Sequence, residues 1–353
     1  MKKDKILQYI VETGLDGIIF TTPKNIEYLT GFSCDPHERA LMYTINKNGD
    51  EFILCPKLEE EVAKKSTENI NIIGYLDTES PYTKLHEFTN NISSLGIEKE
   101  HLTVLRYEAI LETFKVKEIK DVSHLVRNLR KKKSDLELEF MRKAANLADK
   151  CMEIAKNNIR KGITELELKS IIENEIKKYG VSKMSFDTIV LFGDNAANPH
   201  GESGDRKLKD NEYVLLDLGC YYKGYASDIT RCMEFGKVSR FDKSIYDLVL
   251  KANTEAIKAV KPGVSFSSID KIARDIITNE GYGEYFNHRL GHGIGMDCHE
   301  YPDVSQKTTD LLEVGMTFTI EPGIYIPNKV GIRIEDDIFV TENGCEVLTK
   351  YKK

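Results

Sequence analysis

Two short segments place carboxylates inside runs that are otherwise apolar, and this constrains the fold more than any other feature of the chain. Residues 213–231 (YVLLDLGCYYKGYASDITR) read as a hairpin, with Asp217 and Asp228 among Leu215, Leu216 and Leu218. A two-residue turn centred on Tyr222-Lys223 predicts that Asp217 and Asp228 are direct cross-strand neighbours, their Cβ atoms about 4.5–5.5 Å apart. Two like charges opposed on an apolar strand pair are destabilising unless a cation lies between them.

The second segment, residues 318–337 (FTIEPGIYIPNKVGIRIEDD), repeats the device. A turn centred on Asn328 puts Glu321 opposite Glu335, and Arg333, two residues from Glu335, shares its face. Between the hairpins, residues 288–300 (HRLGHGIGMDCHE) carry His292 among glycines that let backbone approach a ligand closely. Four carboxylates and one imidazole suit hard or borderline divalent ions such as Mn, Co or Zn, and suit a calcium cage poorly. Their formal charge balances two divalent cations, and a pair about 3.5–4 Å apart would activate a water and polarise a carbonyl. Taken singly, each residue has an ordinary reading. Asp217 could cap or face a turn, Glu321-Pro322 could end a strand, and His292 could be a packed core histidine. His200, in Asn198-Pro199-His200-Gly201, could be a plain loop residue, and His288 reads as structural. Their co-occurrence in one stretch of chain points to a metal centre.

At 353 residues the chain is long for one core, so two domains are expected, 1–124 and 125–353. Segments of helical and strand character alternate in the first: helices over 4–12, 23–29, 58–66 and 82–95, strands over 17–20, 41–45, 51–54, 70–74 and 102–105. That pattern predicts a small layered α/β unit. Beyond the boundary, Ser134 and Glu137 form a capping box for a long helix to about 158, and Thr164 caps a second helix to about 179. Helices over 241–260 and 267–280 repeat this grammar, with Gly162 and Gly263, and Gly180 and Gly281, each 101 residues apart. The second domain therefore reads as two related α-α-β halves with a site between them.

A net charge of −7 argues against a nucleic-acid binder, and the basic cluster at 127–133 is short and interrupted. No apolar run reaches the length of a membrane span, and no signal-like segment follows the N-terminal lysines. Seven scattered cysteines without a CxxC pair fit reduced thiols in the cytoplasm.

The motifs Leu216-Asp217-Leu218-Gly219, Ser227-Asp228-Ile229-Thr230-Arg231, residues 291–300, Thr319 to Tyr325 and Gly331 to Asp336 resemble, in order and spacing, the pita-bread metallopeptidases of the prolidase / Xaa-Pro aminopeptidase family. Residues 25–32 (NIEYLTGF) are similar to its creatinase-type N-terminal domain, so the resemblance covers almost the whole chain. It implies an α/β (α+β) protein with a pseudo-twofold pita-bread catalytic domain. It implies two metal ions, Mn foremost with Co or Zn as alternatives, held by Asp217, Asp228, His292, Glu321 and Glu335, with Asp228 and Glu335 spanning both. Glu321 corresponds to the general base, His200 and His299 to the substrate-binding and proton-handling histidines, and Arg333 and Tyr325 to the network around the metals. The implied activity is removal of an N-terminal residue preceding proline from short peptides. The implied assembly is a homodimer whose N-terminal domains help close the partner's site, and the polar loop 35–39 is the candidate for that reach. Several dipeptidase members carry arginine where Asp303 stands here, which keeps the aminopeptidase reading level with the dipeptidase one. The alternatives are a metal-free, non-catalytic member of the fold and a methionine aminopeptidase-type enzyme.

Overall fold

The computed structural model describes residues 2–89 and 92–353, and the chain divides into two compact units, Met1–Leu129 and Arg130–Lys353. In the first, α1 (Lys2–Thr13), β1 (Gly17–Phe20), α2 (Pro23–Thr30), β2 (Met42–Asn46), β3 (Glu51–Pro56), α3 (Glu60–Ser66), β4 (Asn71–Tyr75), α4 (Pro81–Phe88), β5 (Ser94–Ile97), α5 (Val104–Phe114), β6 (Glu118–Asp121) and α6 (Ser123–Arg130) follow in order. The strands form one sheet in the order β4-β3-β2-β1-β5-β6. Ile18, Ile19, Ile53, Leu54, Leu95 and Ile97 are completely buried in it. Each such side chain stabilises the sheet by about 1.5–3 kcal/mol.

Two expectations fail in this unit. The helix expected over 82–95 stops at Phe88; residues 90 and 91 lie outside the described residues, and 94–97 is the parallel neighbour of β1. The strand expected over 102–105 is the start of α5. Thr103 caps it by accepting a hydrogen bond from the Arg106 amide, and Val104 and Leu105 point to solvent, so their apolar character marked no strand. The expected boundary at 124 falls inside α6.

The second unit contains α7 (Asp135–Asn158), α8 (Glu165–Ile176), β7 (Ile189–Phe192), β8 (Glu212–Leu218), β9 (Tyr221–Tyr222), β10 (Tyr225–Ala226), β11 (Ile229–Phe235), α9 (Arg240–Ala259), α10 (Phe266–Asn279), β12 (Gly291–Gly293), β13 (Glu300–Val304), β14 (Thr317–Ile320), β15 (Gly323–Ile326), β16 (Val330–Arg333), β17 (Asp336–Thr341) and β18 (Gly344–Val347). Capping boxes start α7 at Ser134/Glu137 and α8 at Thr164/Glu167, each contributing about 1 kcal/mol.

The two halves repeat in hydrogen-bond detail. Gly162 donates to Leu208 O at 2.9 Å, and Gly263 donates to Leu312 O at 2.8 Å. Glu165 N reaches Arg206 O, and Phe266 N reaches Asp310 O, both at 3.1 Å. Each helix pair then covers a sheet, β11-β8-β7 in the first half and β13-β12-β14-β17-β18 in the second. Among the described residues no helix is long and apolar enough to cross a membrane.

Candidate metal centre

The first hairpin folds in a different register from the one expected. Its turn is Lys223-Gly224, with φ of 49° and 82°, and Tyr222 pairs with Tyr225. Two positive φ values make the turn whose twist matches the flanking strands, and Gly224 takes the second of them without strain. Asp217 consequently faces Thr230, not Asp228. The displacement is by two residues, so the side chains keep their faces. Asp228 lies in the gap between β10 and β11. A Cβ on Gly219, across the hairpin, would sit 1.8 Å from Ser227 O, so only glycine lets the strands close there.

The second hairpin folds as expected. It turns around Asn328 (φ 59°), pairing Gly323 with Arg333, and the same register resumes where Ile320 faces Asp336. Glu321 and Glu335 stand opposite each other in the interruption. The two hairpins are stitched together: Glu335 N donates to Thr230 O at 3.1 Å, and Asp228 N to Asp337 Oδ2 at 3.0 Å. Thr230 Oγ1 accepts from Arg333 Nε at 3.1 Å and donates to Glu335 Oε2 at 2.6 Å.

The result is a cavity of about 490 Å³ lined by all nine residues singled out above: Asp217, Asp228, His292, Glu321, Glu335, His200, His299, Tyr325 and Arg333. Candidate ligand atoms of Asp228, His292 and Glu335 lie within 4.8 Å of one another. Glu321 Oε1 is 3.3 Å from His292 Nε2, and Asp228 Oδ2 is 3.7 Å from it. Asp217 is held by Arg333 through Oδ2.

The polar atoms of this cluster fit divalent cations. Oδ1 of Asp217 and of Asp228 is buried with no hydrogen-bond partner among the described residues. His292 Nδ1 contacts Gly293 O at 3.1 Å, and because a carbonyl only accepts, Nδ1 carries the proton. In the neutral ring, Nε2 then turns a lone pair toward two carboxylates, an arrangement that only a proton or a cation between them relieves. Burial pushes Asp228 well above the ordinary carboxylate range, and Asp217 and Asp337 add to it. Glu335 rises for the same reasons, burial and the charge of Asp228. Asp217 is raised by burial against the opposing pull of Arg333. Burial acts on Glu321 too, but when His292 is protonated at Nε2 as well, its hydrogen bond and charge outweigh burial and bring that carboxyl down to about 2.

Around the cluster, His288 Nδ1 donates to Arg289 O at 2.7 Å. Its Nε2 therefore accepts from Tyr325 OH at 3.1 Å, while that hydroxyl accepts from Arg333 Nη1 at 2.9 Å. Burial pushes Tyr325 up to about 12. The His299 ring sits 4.0 Å from that of His292, and burial with this neighbour lowers His299 to about 4. Sequence reasoning passed over Arg289, which lines the cavity and is ion-paired to Asp303. Its one sequence signal is its place between His288 and His292. Also passed over was Cys298, whose thiol donates to Asp228 Oδ2 at 3.1 Å.

The model of metallopeptidase family M24 matches residues 139–342, and that of the creatinase/prolidase N-terminal domain matches residues 2–132. An uncharacterized peptidase of Staphylococcus epidermidis is 51% identical over 352 residues, covering 100% of this chain and 99% of its own length. The prolidase from Pyrococcus horikoshii superposes with a TM-score of 0.93 at 37% identity, covering 100% of this chain and 99% of the other. The Xaa-Pro dipeptidase from Bacillus anthracis gives 0.92 at 36%, covering 100% and 98%. The expected α/β architecture, a creatinase-like domain followed by a pita-bread domain, holds.

Proposed function

The chain belongs to metallopeptidase family M24, and from that premise we propose that it is a dinuclear-metal exopeptidase hydrolysing the bond between an N-terminal residue and proline. The observation that carries this reading is the convergence of four carboxylates and His292 Nε2 on one cavity, with buried oxygens left unpartnered. Asp217, Asp228, His292, Glu321 and Glu335 would hold two divalent cations, Mn foremost and Co or Zn as alternatives. When bound, these ions supply Lewis-acid polarisation of the scissile carbonyl and acidify the attacking water.

The chain's own groups do the rest. Glu321, ionised at neutral pH, accepts the proton of the attacking water and passes it on. The nitrogen of an Xaa-Pro bond bears no hydrogen, so it leaves only as it gains a proton. His299, neutral at pH 7, and His200 on the cavity wall donate to the developing oxyanion and to that nitrogen. Phe186, Ile189 and Pro199 give the pyrrolidine ring an apolar wall. Arg333 holds Asp217 and, through Tyr325, orients His288.

Arg289 favours the dipeptidase form of the reading. It brings a cation, braced by Asp303, to the cavity wall, where the carboxylate of an Xaa-Pro dipeptide would end. A longer peptide has no carboxylate there. The reading includes a cytoplasmic homodimer with residues 35–39 contributing to the partner's site. It is tested by comparing cleavage of Xaa-Pro, Xaa-Pro-Yaa and Met-Ala-Xaa peptides, with sedimentation for assembly. Preference for Xaa-Pro, and a rise in KM of about tenfold for that substrate alone in Arg289→Ala, is the expected result. Preference for Xaa-Pro-Yaa would assign an aminopeptidase instead, and cleavage of Met-Ala-Xaa alone would overturn the proline specificity.

A further inference from the structure

The pseudo-symmetry of the second unit exposes one residue that breaks it. Glu165 and Phe266 open the second helix of each half, 101 residues apart, and make the same backbone hydrogen bond. Phe266 does what a buried residue at such a place ordinarily does, packing edge-on against Phe318 at 5.2 Å. Glu165 is equally buried, at 0% exposure, yet it is a carboxylate. Burying a charge there is costly unless it is matched by hydrogen bonds, and the helix N-terminus offsets only part of the penalty.

Its hydrogen bonds go to a single loop. Oε1 accepts from Phe192 N at 2.8 Å and from Asn195 Nδ2 at 3.0 Å, and Oε2 accepts from Gly204 N at 3.1 Å. Phe192 is the last residue of β7, and Gly204 lies just past the far end of the segment that follows it. One side chain therefore ties both ends of loop 193–203, and that loop carries Pro199 and His200 to the cavity wall. His200 itself is exposed, and among the described residues its side chain has no hydrogen-bond partner.

The second half holds its histidines by a different carboxylate. Asp270, on α10, accepts from Leu290 N at 3.1 Å and pairs with Arg274, whose guanidinium reaches Phe286 O and His288 O, both at 2.9 Å. Each half thus sets a buried acid behind its histidine-bearing loop, at positions the repeat does not relate.

We propose that Glu165 is a positioning residue for the reaction, acting through His200 by fixing both ends of the loop that presents it. The inference rests on the reading of His200 as a substrate-facing group. Glu165→Gln is the informative variant. It keeps the volume but turns an amide donor toward one of the two backbone N–H groups, so one end of the loop is released. Asn195→Ala, at an exposed position, removes the third arm without touching the core.

The experiment combines hydrogen exchange over 193–204 with kinetics on an Xaa-Pro dipeptide, using full-length metal-loaded protein alone and with His200→Ala. Glu165→Gln is expected to speed exchange in that loop and to lower kcat/KM about ten- to hundredfold in the otherwise native protein. In the His200→Ala background the further loss should be under about twofold, because the two changes share one route. Asn195→Ala should show the same pattern, more weakly. Unchanged exchange in Glu165→Gln, or an equal kinetic loss in both backgrounds, would overturn the proposal. Native protein inactive on Xaa-Pro peptides would instead count against the proposed function, and faster loop exchange in Glu165→Gln would still support the clamp.

Discussion

The two acidic hairpins of the second unit arrive at one cavity by different local geometry. In the first, a two-residue Lys223-Gly224 turn sets a register in which Asp217 belongs to a paired strand and only Asp228 lies in a gap. In the second, the turn around Asn328 leaves both Glu321 and Glu335 in the interruption. The difference shows that direct opposition of two acids is not what gathers charge here. Each strand pair is broken near its acids, and each broken stretch bonds to the other hairpin, Glu335 to Thr230 and Asp228 to Asp337. Backbone freed from its own ladder is used to hold the partner hairpin.

The comparison breaks most completely if one acid is removed from each gap. Asp228→Asn and Glu335→Gln should each lower kcat/KM at least about a thousandfold while leaving the circular dichroism spectrum intact. A loss confined to one hairpin would mean that the two are not equivalent in function. Thr230→Val removes the hydroxyl's part of the stitch, its bonds to Glu335 and Arg333, without removing an acid. It should lower metal affinity or activity about ten- to hundredfold, with a stability loss of about 1–3 kcal/mol in thermal or urea unfolding.

A pH series sharpens the electrostatic side. In metal-free protein, Asp217, Asp228 and Glu335 are raised in the folded state, so the native form binds more protons than the unfolded one above the ordinary carboxylate range. Stability of the stripped protein should therefore rise as pH falls from 7.5 toward about 6.5, above the range in which His299 and His288, both lowered by burial, take up protons in the unfolded chain. Saturating Mn should abolish or reverse that slope, because protons and cations then compete for the same oxygens. Melting curves at the two pH values, with and without chelator, read this directly. The smallest effects belong to the turns. Gly224→Ala should destabilise by about 1–2 kcal/mol with kcat unchanged, whereas Asn328→Gly should stay within about 0.5 kcal/mol of native.

Much of the site was legible in the sequence because acids in apolar strands, glycines around a histidine and repeated helix starts are local signals. Asp217, Asp228, His292, Glu321 and Glu335 each have an ordinary reading alone but stand out together, and all of them line the cavity. The first register was misjudged because Lys223 adopts φ of 49°, which an L-residue rarely does; the glycine after it was the available clue. Thr103 was passed over as a cap because Val104 and Leu105 look strand-like when their exposure is unknown. Arg289 and Cys298 gave too weak a signal, since the first acts through distant Asp303 and the second through Asp228, contacts that only the tertiary fold creates.

The reading as a whole stands on the cavity's capacity for paired cations, and counting them is the direct measurement. Chelator-stripped protein titrated with Mn in a calorimeter, with turnover of an Xaa-Pro dipeptide followed at each addition, should take up two equivalents per chain and gain activity as they bind. Asp228→Asn should lose at least one of them. No uptake, or full turnover in the stripped protein, would contradict the account.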